Sequence, residues 1–473
     1  MENEVLLGID IGTTAVKVAA FTDDGRVRGV HSVAYPIARP RAGWAEQDPE
    51  DWWHGCVTAI RTVLSGLPGA VVKAAGIVSQ VNTHLLADAE LTPLTPAAIW
   101  QDQRCADVAR ALDARFTPED KLRIWGGPVA LDASFVGARA AWFRRHRPDE
   151  WARARWILSP KDFIGARLTG RVATDKLSGV RIAGARGYLP EVVELVDGLG
   201  GRLPELLEPE AVLGTSPELG APVVVGTMDA FGAVFGTRTT EAGRGMISCG
   251  TSLVVAGASH KSTSAPGIVT FPPRGDLSVH AGPTQAAGDA VRWWSQVSGL
   301  AVPEVFESAQ KGRPGIVFTP YLQGERAPLW DADVRGSFLG LSASATQADL
   351  SRAVLTGVAF SARHVLERVE EACGLRLPSL TFSGGGARSD LWTQLHADAL
   401  GRPIERLRVH DSAALGAALL GAVGVKRHPD VETAAAATVA VERVFEPRED
   451  LTRLYEAYRA SHEGLAKVHA LLK

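Results

Sequence analysis

Cysteine is scarce in this chain: Cys56, Cys105, Cys249 and Cys373 are the only four in 473 residues, with no Cys-x-x-Cys and no Cys/His pair at metal-ligand spacing. That excludes a disulfide scaffold and a zinc site, and predicts a reducing, cytoplasmic setting. Long runs of one charge are missing as well. With a formal net charge of −3 and no basic stripe, neither nucleic acid nor an anionic membrane is expected as a partner. Long apolar runs are also absent. The most apolar late stretch, 413–425, is rich in small side chains and falls short of the ~20 residues that span a bilayer. The first residues, Met1-Glu2-Asn3-Glu4-Val5, lack the basic-then-apolar pattern of a secretory leader, so none is expected.

What is present suffices for large cores: 46% of residues are hydrophobic and 22% charged. At roughly 100–200 residues per domain the length predicts two large domains.

Two short loops rich in glycine and hydroxyls carry the chemistry. Gly8-Ile9-Asp10-Ile11-Gly12-Thr13-Thr14 lies near the start and Ser248-Cys249-Gly250-Thr251-Ser252 past the middle. Each joins strand-like apolar runs, and each combines glycines that admit an anion to the backbone with hydroxyls that donate to phosphate oxygens. Asp10 can hold a hydrated divalent cation, and Asp229, in Gly226-Thr227-Met228-Asp229, can serve as a base. Together these features point to ATP-dependent phosphoryl transfer. Each acid also has an ordinary reading, Asp10 as a turn residue and Asp229 as the cap of a helix starting at Ala230.

The chain reads as a unit used twice. Strands are predicted over 5–10, 16–21 and 27–33, with Asp24-Gly25 as a hairpin turn. Asp48-Pro49-Glu50-Asp51 then opens a helix with a cap, an early proline and acids near its positive end. Trp53, Val57, Ile60 and Leu64 are expected to form its buried face. The pattern returns with strands over 245–249 and 253–257. A capping box at Thr346-Gln347-Ala348-Asp349 starts a long helix lined by Leu350, Val354, Val358, Val365 and Val369 and ending at Gly374. A strand over 380–383, the triplet Gly384-Gly385-Gly386 and a helix over about 389–400, closed by Gly401 and Pro403, complete it. Gly236-Thr237-Arg238-Thr239-Thr240 reads as a linker.

In order along nearly the full length, the motifs resemble those of the FGGY carbohydrate kinases of the actin-like ATPase superfamily. Gly8 to Thr14 resembles the first phosphate motif, Gly43-Trp44-Ala45-Glu46-Gln47-Asp48-Pro49 the segment after it, and Trp100-Gln101-Asp102-Gln103-Arg104 the sugar-side motif. The stretch ending in Asp229 resembles the catalytic-acid segment, and Gly250-Thr251-Ser252 the second phosphate motif. Gly324-Glu325-Arg326-Ala327-Pro328, with 336–341 and 349–355, resembles the C-terminal signature, and 384–389 the adenosine motif.

The resemblance implies an α/β fold of two actin-like (ribonuclease H-like) domains, 1–238 and 239–473, with a nucleotide and sugar cleft between them. It implies ATP and Mg²⁺ as cofactors, the metal held at Asp10. Gly12, Thr13, Thr14, Lys17, Gly250, Thr251, Ser252, Gly385, Gly386 and Ser389 are the expected nucleotide contacts, although strand alternation leaves Lys17 equally open to solvent. Gln80, Val81, Asn82, Trp100, Asp102 and Asp229 are the expected sugar contacts, with Asp229 also the catalytic base. Trp100 taken alone reads as core.

Within the family the pattern is nearest that of xylulose kinases, which implies phosphorylation of the terminal hydroxyl of D-xylulose to D-xylulose 5-phosphate. Two departures keep L-xylulose, ribulose, a tetritol or gluconate open as acceptors. Asn82 stands where those kinases carry histidine, and Met228 and Ala230 flank the acid where Gly and an amide are usual. Thr356 also departs from the signature's usual acidic or amide end. An actin-like ATPase acting on no sugar is the rival class. Dimers recur in the family, so a homodimer is the expectation by analogy.

Overall fold

The computed structural model describes residues 3–125, 129–271 and 273–471. The chain forms two compact units, Met1–Gly236 with Ser412–Thr438, and Thr237–Asp411 with Val439–Lys473. The expected division near 238 therefore needs a correction, because residues 412–438 return to the first unit. Sequence alone gave no sign of it, since the cause lies in two glycines on distant strands.

The first unit is built on β1 (Glu4–Ile11), β2 (Ala15–Phe21), β3 (Val27–Ala34), β4 (Val71–Ser79), β5 (Val212–Ser216), β6 (Ala221–Val224) and the two-residue β7 (Thr227–Met228). Their order is β5-β6-β4-β1-β2-β3, with β7 also pairing with β4. β1, β6 and β7 run parallel to β4, and the β1-β2-β3 meander is antiparallel. Leu7, Ile9 and Ile11, two residues apart on β1, are fully buried beside Val16 and Val18, as one face of a pleated strand requires. That face joins Trp52, Cys56, Ala59 and Ile60 of helix α1 (Pro49–Ser65) in one core.

Of the expected face of α1, Ile60 is buried, and the rest of the buried stripe sits one position earlier than expected. Trp52, Cys56, Ala59, Ile60 and Val63 are inside, while Trp53 and Leu64 are partly buried at the margin. The small Gly55, Cys56 and Ala59 let the helix settle close to β2 and β3, and the bulkier residues flank that contact. A search for large apolar side chains alone misses this stripe.

On the opposite face of the sheet, a Cβ at Gly8 would stand 1.8 Å from the Ala414 carbonyl oxygen, and one at Gly76 1.8 Å from that of Ala417. Only glycine admits this approach, and it seats α7 (Ser412–Gly424) directly on β1 and β4. Gly8 thus serves helix packing rather than the phosphate loop. Helix α3 (Asp229–Gly236) lies against α7. The residues after it do not form an exposed linker: Thr237 and Thr239 are fully buried and share a 2.9 Å hydroxyl hydrogen bond.

The second unit repeats the plan. Its sheet contains β8 (Gly245–Cys249), β9 (Leu253–Ser259), β10 (Val269–Thr270), β11 (Ser278–Pro283), β12 (Leu380–Ser383), β13 (Ile404–Leu407) and β14 (Val441–Phe445), in the order β10-β11-β9-β8-β12-β13-β14. The meander β8-β9-β11 corresponds to β1-β2-β3, and β12, parallel to β8, corresponds to β4. Helix α4 (Gly288–Ser298) follows β11. Helix α5 (Gln347–Cys373) begins with the expected capping box and ends at Gly374 in the left-handed region, and Val354, Val358, Val365 and Val369 along it are fully buried. Helix α6 (Asp390–Leu400) follows the triple glycine. Among the described residues no helix is long and apolar enough to cross a membrane.

Candidate active site

The first loop is the turn between β1 and β2, and its carbonyls are all held by the body of the unit. The Gly12 carbonyl accepts from the Tyr35 hydroxyl (2.5 Å) and from Gln80 Nε2 (3.3 Å). Gln47 Nε2 donates to the Thr13 carbonyl at 2.6 Å, and the Tyr35 amide to that of Thr14 at 3.2 Å. In a planar trans peptide the N–H points opposite to the C=O. The amides of Thr13 and Thr14 therefore point away from the groups that hold these carbonyls, the orientation an anion-binding turn requires. Thr13 Oγ1 accepts from the Trp100 indole at 3.0 Å, so its own hydrogen remains available for donation. Burial, reinforced by the charge of Asp10, holds the Tyr35 hydroxyl protonated far above its ordinary range, so it stays a donor.

Asp10 is half-buried at the carboxyl end of β1 and lies opposite Lys17 in the antiparallel ladder. Cross-strand partners share a face, with Cβ atoms about 4.5–5.5 Å apart. Lys17 is thereby on the side of the sheet that carries Asp10. Asp229 follows β7, whose Met228 pairs with Ser79 on β4, while Ser79 pairs with Ile11 on β1. Two ladder spacings of about 4.8 Å put the two acid-bearing strand ends roughly 10 Å apart. They flank Gln80, whose amide donates to the Ile11 carbonyl at 2.9 Å. Carboxyl ends of parallel strands are where open α/β sheets take their ligands. Helix α3 starts at Asp229, one residue earlier than expected, and Asp229 Oδ1 accepts from the Ala230 amide at 2.7 Å.

Among the described residues no group of three or more His, Cys, Asp or Glu side chains is placed to hold a metal. A half-buried carboxylate at a strand end, as Asp10 is, fits the needs of Mg²⁺, which keeps most of its waters and uses one or two carboxylates with phosphate oxygens.

The expected sugar contacts divide. Asp102 is fully buried, and its carboxylate accepts from the Ala45 amide (2.7 Å), Arg104 Nη2 (2.6 Å) and Arg139 Nη1 (3.0 Å). Gln80 is 1% exposed and bonded to Gln47, Gly12 and Thr83. Both are framework, because their polar atoms are already engaged inside the protein; that corrects the expectation of direct sugar contact. Asp102 anchors a cluster in which Arg104 lies 3.6 Å over the Trp44 ring and pairs with Glu46 at 2.7 Å. Trp100, Val81 and Asn82 are half-buried, and Asn82 sits in the left-handed region at φ 55°. Met228 is 2% exposed, so this departure beside the acid fills core.

The second loop has the same construction. The Gly250 carbonyl accepts from the Gly288 amide (3.0 Å), and the Thr251 carbonyl from those of Ala287 (2.9 Å) and Asp289 (3.1 Å), all at the start of α4. The amides of Thr251 and Ser252 consequently face outward, and Arg292 Nη2 stands 3.4 Å from Thr251 Oγ1. At the end of β12, Gly384 has φ +85°, and a Cβ there would lie 2.5 Å from the Cys249 carbonyl oxygen. That close approach sets the triple glycine beside the second loop. Gly385 is open, whereas Gly386 is buried and Ser389 caps α6 by accepting from the Trp392 amide at 3.2 Å.

Behind this loop Thr284 Oγ1 accepts from the Leu253 amide (3.1 Å), and Glu325 accepts from the amides of Gln285 (2.5 Å) and Arg326 (2.8 Å). Burial pushes the Glu325 carboxyl up to about 7.

Sequence reasoning missed Tyr35, Gln47 and Arg292. Gln47 lies inside a quoted motif, so that motif was the available signal; Tyr35 and Arg292 reach their loops only through the fold.

Residues 5–236 match the N-terminal domain of the FGGY family of carbohydrate kinases, and 245–425 match its C-terminal domain. A xylulose kinase of Escherichia coli is 31% identical over 88% of this chain and 89% of its own length. One from Staphylococcus epidermidis is 29% identical over 99% and 97%. A crystal structure of a xyloylose kinase from Brucella ovis shares 31% identity with a TM-score of 0.87, covering 99% of this chain and 100% of that one.

Proposed function

This chain belongs to the FGGY family of carbohydrate kinases, and from that premise we propose that it phosphorylates the terminal hydroxyl of D-xylulose, with ATP as donor, to give D-xylulose 5-phosphate. Sugar-kinase activity comes with the family, which sets aside an actin-like ATPase without a sugar substrate. Xylulose as the acceptor rests on the relatives' names and on the motif pattern.

The observation that carries the site reading is the row of strand ends in the first unit. Asp10 and Asp229 flank β4 beside a loop whose amides face outward. Phosphoryl transfer asks the protein to position reactants and to neutralise spreading charge. Asp229 accepts the proton of the attacking hydroxyl. Gly12, Thr13 and Thr14 receive phosphate oxygens with amides and hydroxyls, and Lys17 adds positive charge on the Asp10 side. Asp10 is the residue that would hold a hydrated Mg²⁺, which when bound neutralises phosphate oxygens. In the second unit Gly250, Thr251 and Ser252 play the matching part, and the open Gly385 lets the nucleotide approach the backbone, with Gly386 and Ser389 shaping that turn. Trp100 offers an apolar face to the carbon skeleton, and Asn82 an amide to its hydroxyls.

An ADP-release assay over D-xylulose, L-xylulose, ribulose, a tetritol and gluconate tests the acceptor. D-xylulose is expected to give the highest kcat/KM. Preference for another member refutes this assignment and points to Asn82 and Ala230 as its cause. Asp229→Asn is expected to lower kcat by about 10²–10⁴-fold while ATP binding persists. Parent-like turnover would remove the base assignment.

A further inference from the structure

A buried ion network lies behind β7 and takes no part in the chemistry above. Lys161, at the start of helix α2 (Pro160–Thr169), is fully buried, with Nζ 2.6 Å from Asp162 Oδ1, 3.1 Å from Asp175 Oδ1 and 3.3 Å from Thr174 Oγ1. Asp175 is also fully buried and uses its other oxygen, Oδ2, to accept from Thr227 Oγ1 at 2.8 Å. The same oxygen accepts from the amides of Leu177 and Ser178, each at 3.1 Å. On its other side the Lys161 amide donates to Ser79 Oγ at 3.2 Å. Burial works against the ammonium, but the two carboxylates outweigh it and keep the lysine charged.

Stability gives a weak reason to keep such a network. A buried ion pair gains little or nothing over apolar residues of the same shape, although removing one partner is costly. What it supplies is direction. Strand β7 has only two ladder pairs, Thr227 with Val78 and Met228 with Ser79, too few to fix where the chain leaves the sheet. The network grips both strands of that ladder, β7 through the Thr227 hydroxyl and β4 through the Ser79 hydroxyl. Asp229 is two residues beyond Thr227.

We infer that Lys161, Asp175 and Thr227 form a positioning relay for phosphoryl transfer: they fix the strand end from which Asp229 projects, so turnover depends on them although none touches substrate. This rests on the reading of Asp229 as the base.

The test compares Thr227→Val, which keeps the shape and removes the donor, with Thr227→Ser, which restores it, measuring kcat, both KM values and Tm on the preferred sugar. A reacting geometry loosened by about 1 Å costs up to ~100-fold, so Thr227→Val is expected to lose about 10–100-fold in kcat with KM for sugar and ATP nearly unchanged. Thr227→Ser is expected to recover most of the loss. A Thr227→Val enzyme with a lower Tm but parent-like kcat overturns the relay, as does a Thr227→Ser enzyme as slow as Thr227→Val. If Thr227→Val does not fold, Ser79→Ala cuts the other arm, and an unchanged kcat there overturns the inference equally. Asp229→Asn is run alongside. An active Asp229→Asn enzyme removes the base reading and the relay with it, whereas an inactive one beside a fully active Thr227→Val enzyme removes the relay alone.

Discussion

Glu325→Gln is expected to make the protein more stable at alkaline pH and to leave it nearly unchanged in mild acid. Glu325 is 4% exposed, and its carboxyl rises from 4.5 to about 7 because burial penalises the charged form more than the Gln285 and Arg326 amides favour it. A carboxyl whose pKa is raised by folding binds its proton more tightly in the native state, so its contribution is fully favourable below 4.5 and is lost as pH climbs through about 7. At about 1.4 kcal/mol per tenfold change in proton affinity, the loss totals about 3 kcal/mol. Glutamine matches the protonated acid in shape and never ionises. The difference in urea-unfolding free energy, variant minus parent, should therefore be about 1 kcal/mol or less near pH ~5 and grow to about 3 kcal/mol near pH ~8.5. Subtracting the parent curve removes every other titration. A difference that is constant across the range, or one that favours the parent as pH rises, would refute the claim that the buried position keeps this acid protonated.

Other expectations follow from single bonds. Gln47→Leu strands the Thr13 carbonyl and the Trp52 indole and leaves Gln80 Nε2 only its bond to the Gly12 carbonyl; at about 1–3 kcal/mol per buried unsatisfied group, both stability and KM for ATP should worsen, and a fall in stability with an unaltered KM would separate Gln47 from the loop. Arg139→Met removes a fully buried partner of Asp102 and should cost about 3–5 kcal/mol, read by thermal or urea unfolding; a loss below ~1 kcal/mol would mean that Arg104 and the Ala45 amide satisfy the carboxylate without it.

Much of the fold was legible because it is written locally. The Asp48 cap, the Thr346 capping box and the helix-closing Gly374 and Gly401 each lie within a few residues of the bonds they make. The two turns rich in glycine and hydroxyls were legible as strand connections for the same reason. What escaped depends on partners far along the chain. Asp102 was expected to contact sugar because it lies in the stretch that resembles the family's sugar-side motif, and only the fold brings Arg139 and the Ala45 amide to saturate it. Tyr35 and Gln47 are ordinary residues until β3 and the segment before α1 carry them behind the first turn. The relay behind β7 joins α2, the short strand Ala173–Asp175 and β7, a juxtaposition that no local periodicity encodes.

The seating of α7 on Gly8 and Gly76 bears on how the molecule is made. The ribosome releases the six-stranded path of the first sheet early, yet the helix that covers one side of it emerges only after residue 411, when nearly all of the second unit has been synthesised. Until then two bare glycines and their neighbours form an open trough. Domains ordinarily fold in the order of synthesis, amino-terminal first; here the amino-terminal one stays incomplete until its own residues 412–438 are made, and a fragment cut at Gly236 should be captured by chaperones or precipitate unless residues 412–438 are supplied in trans.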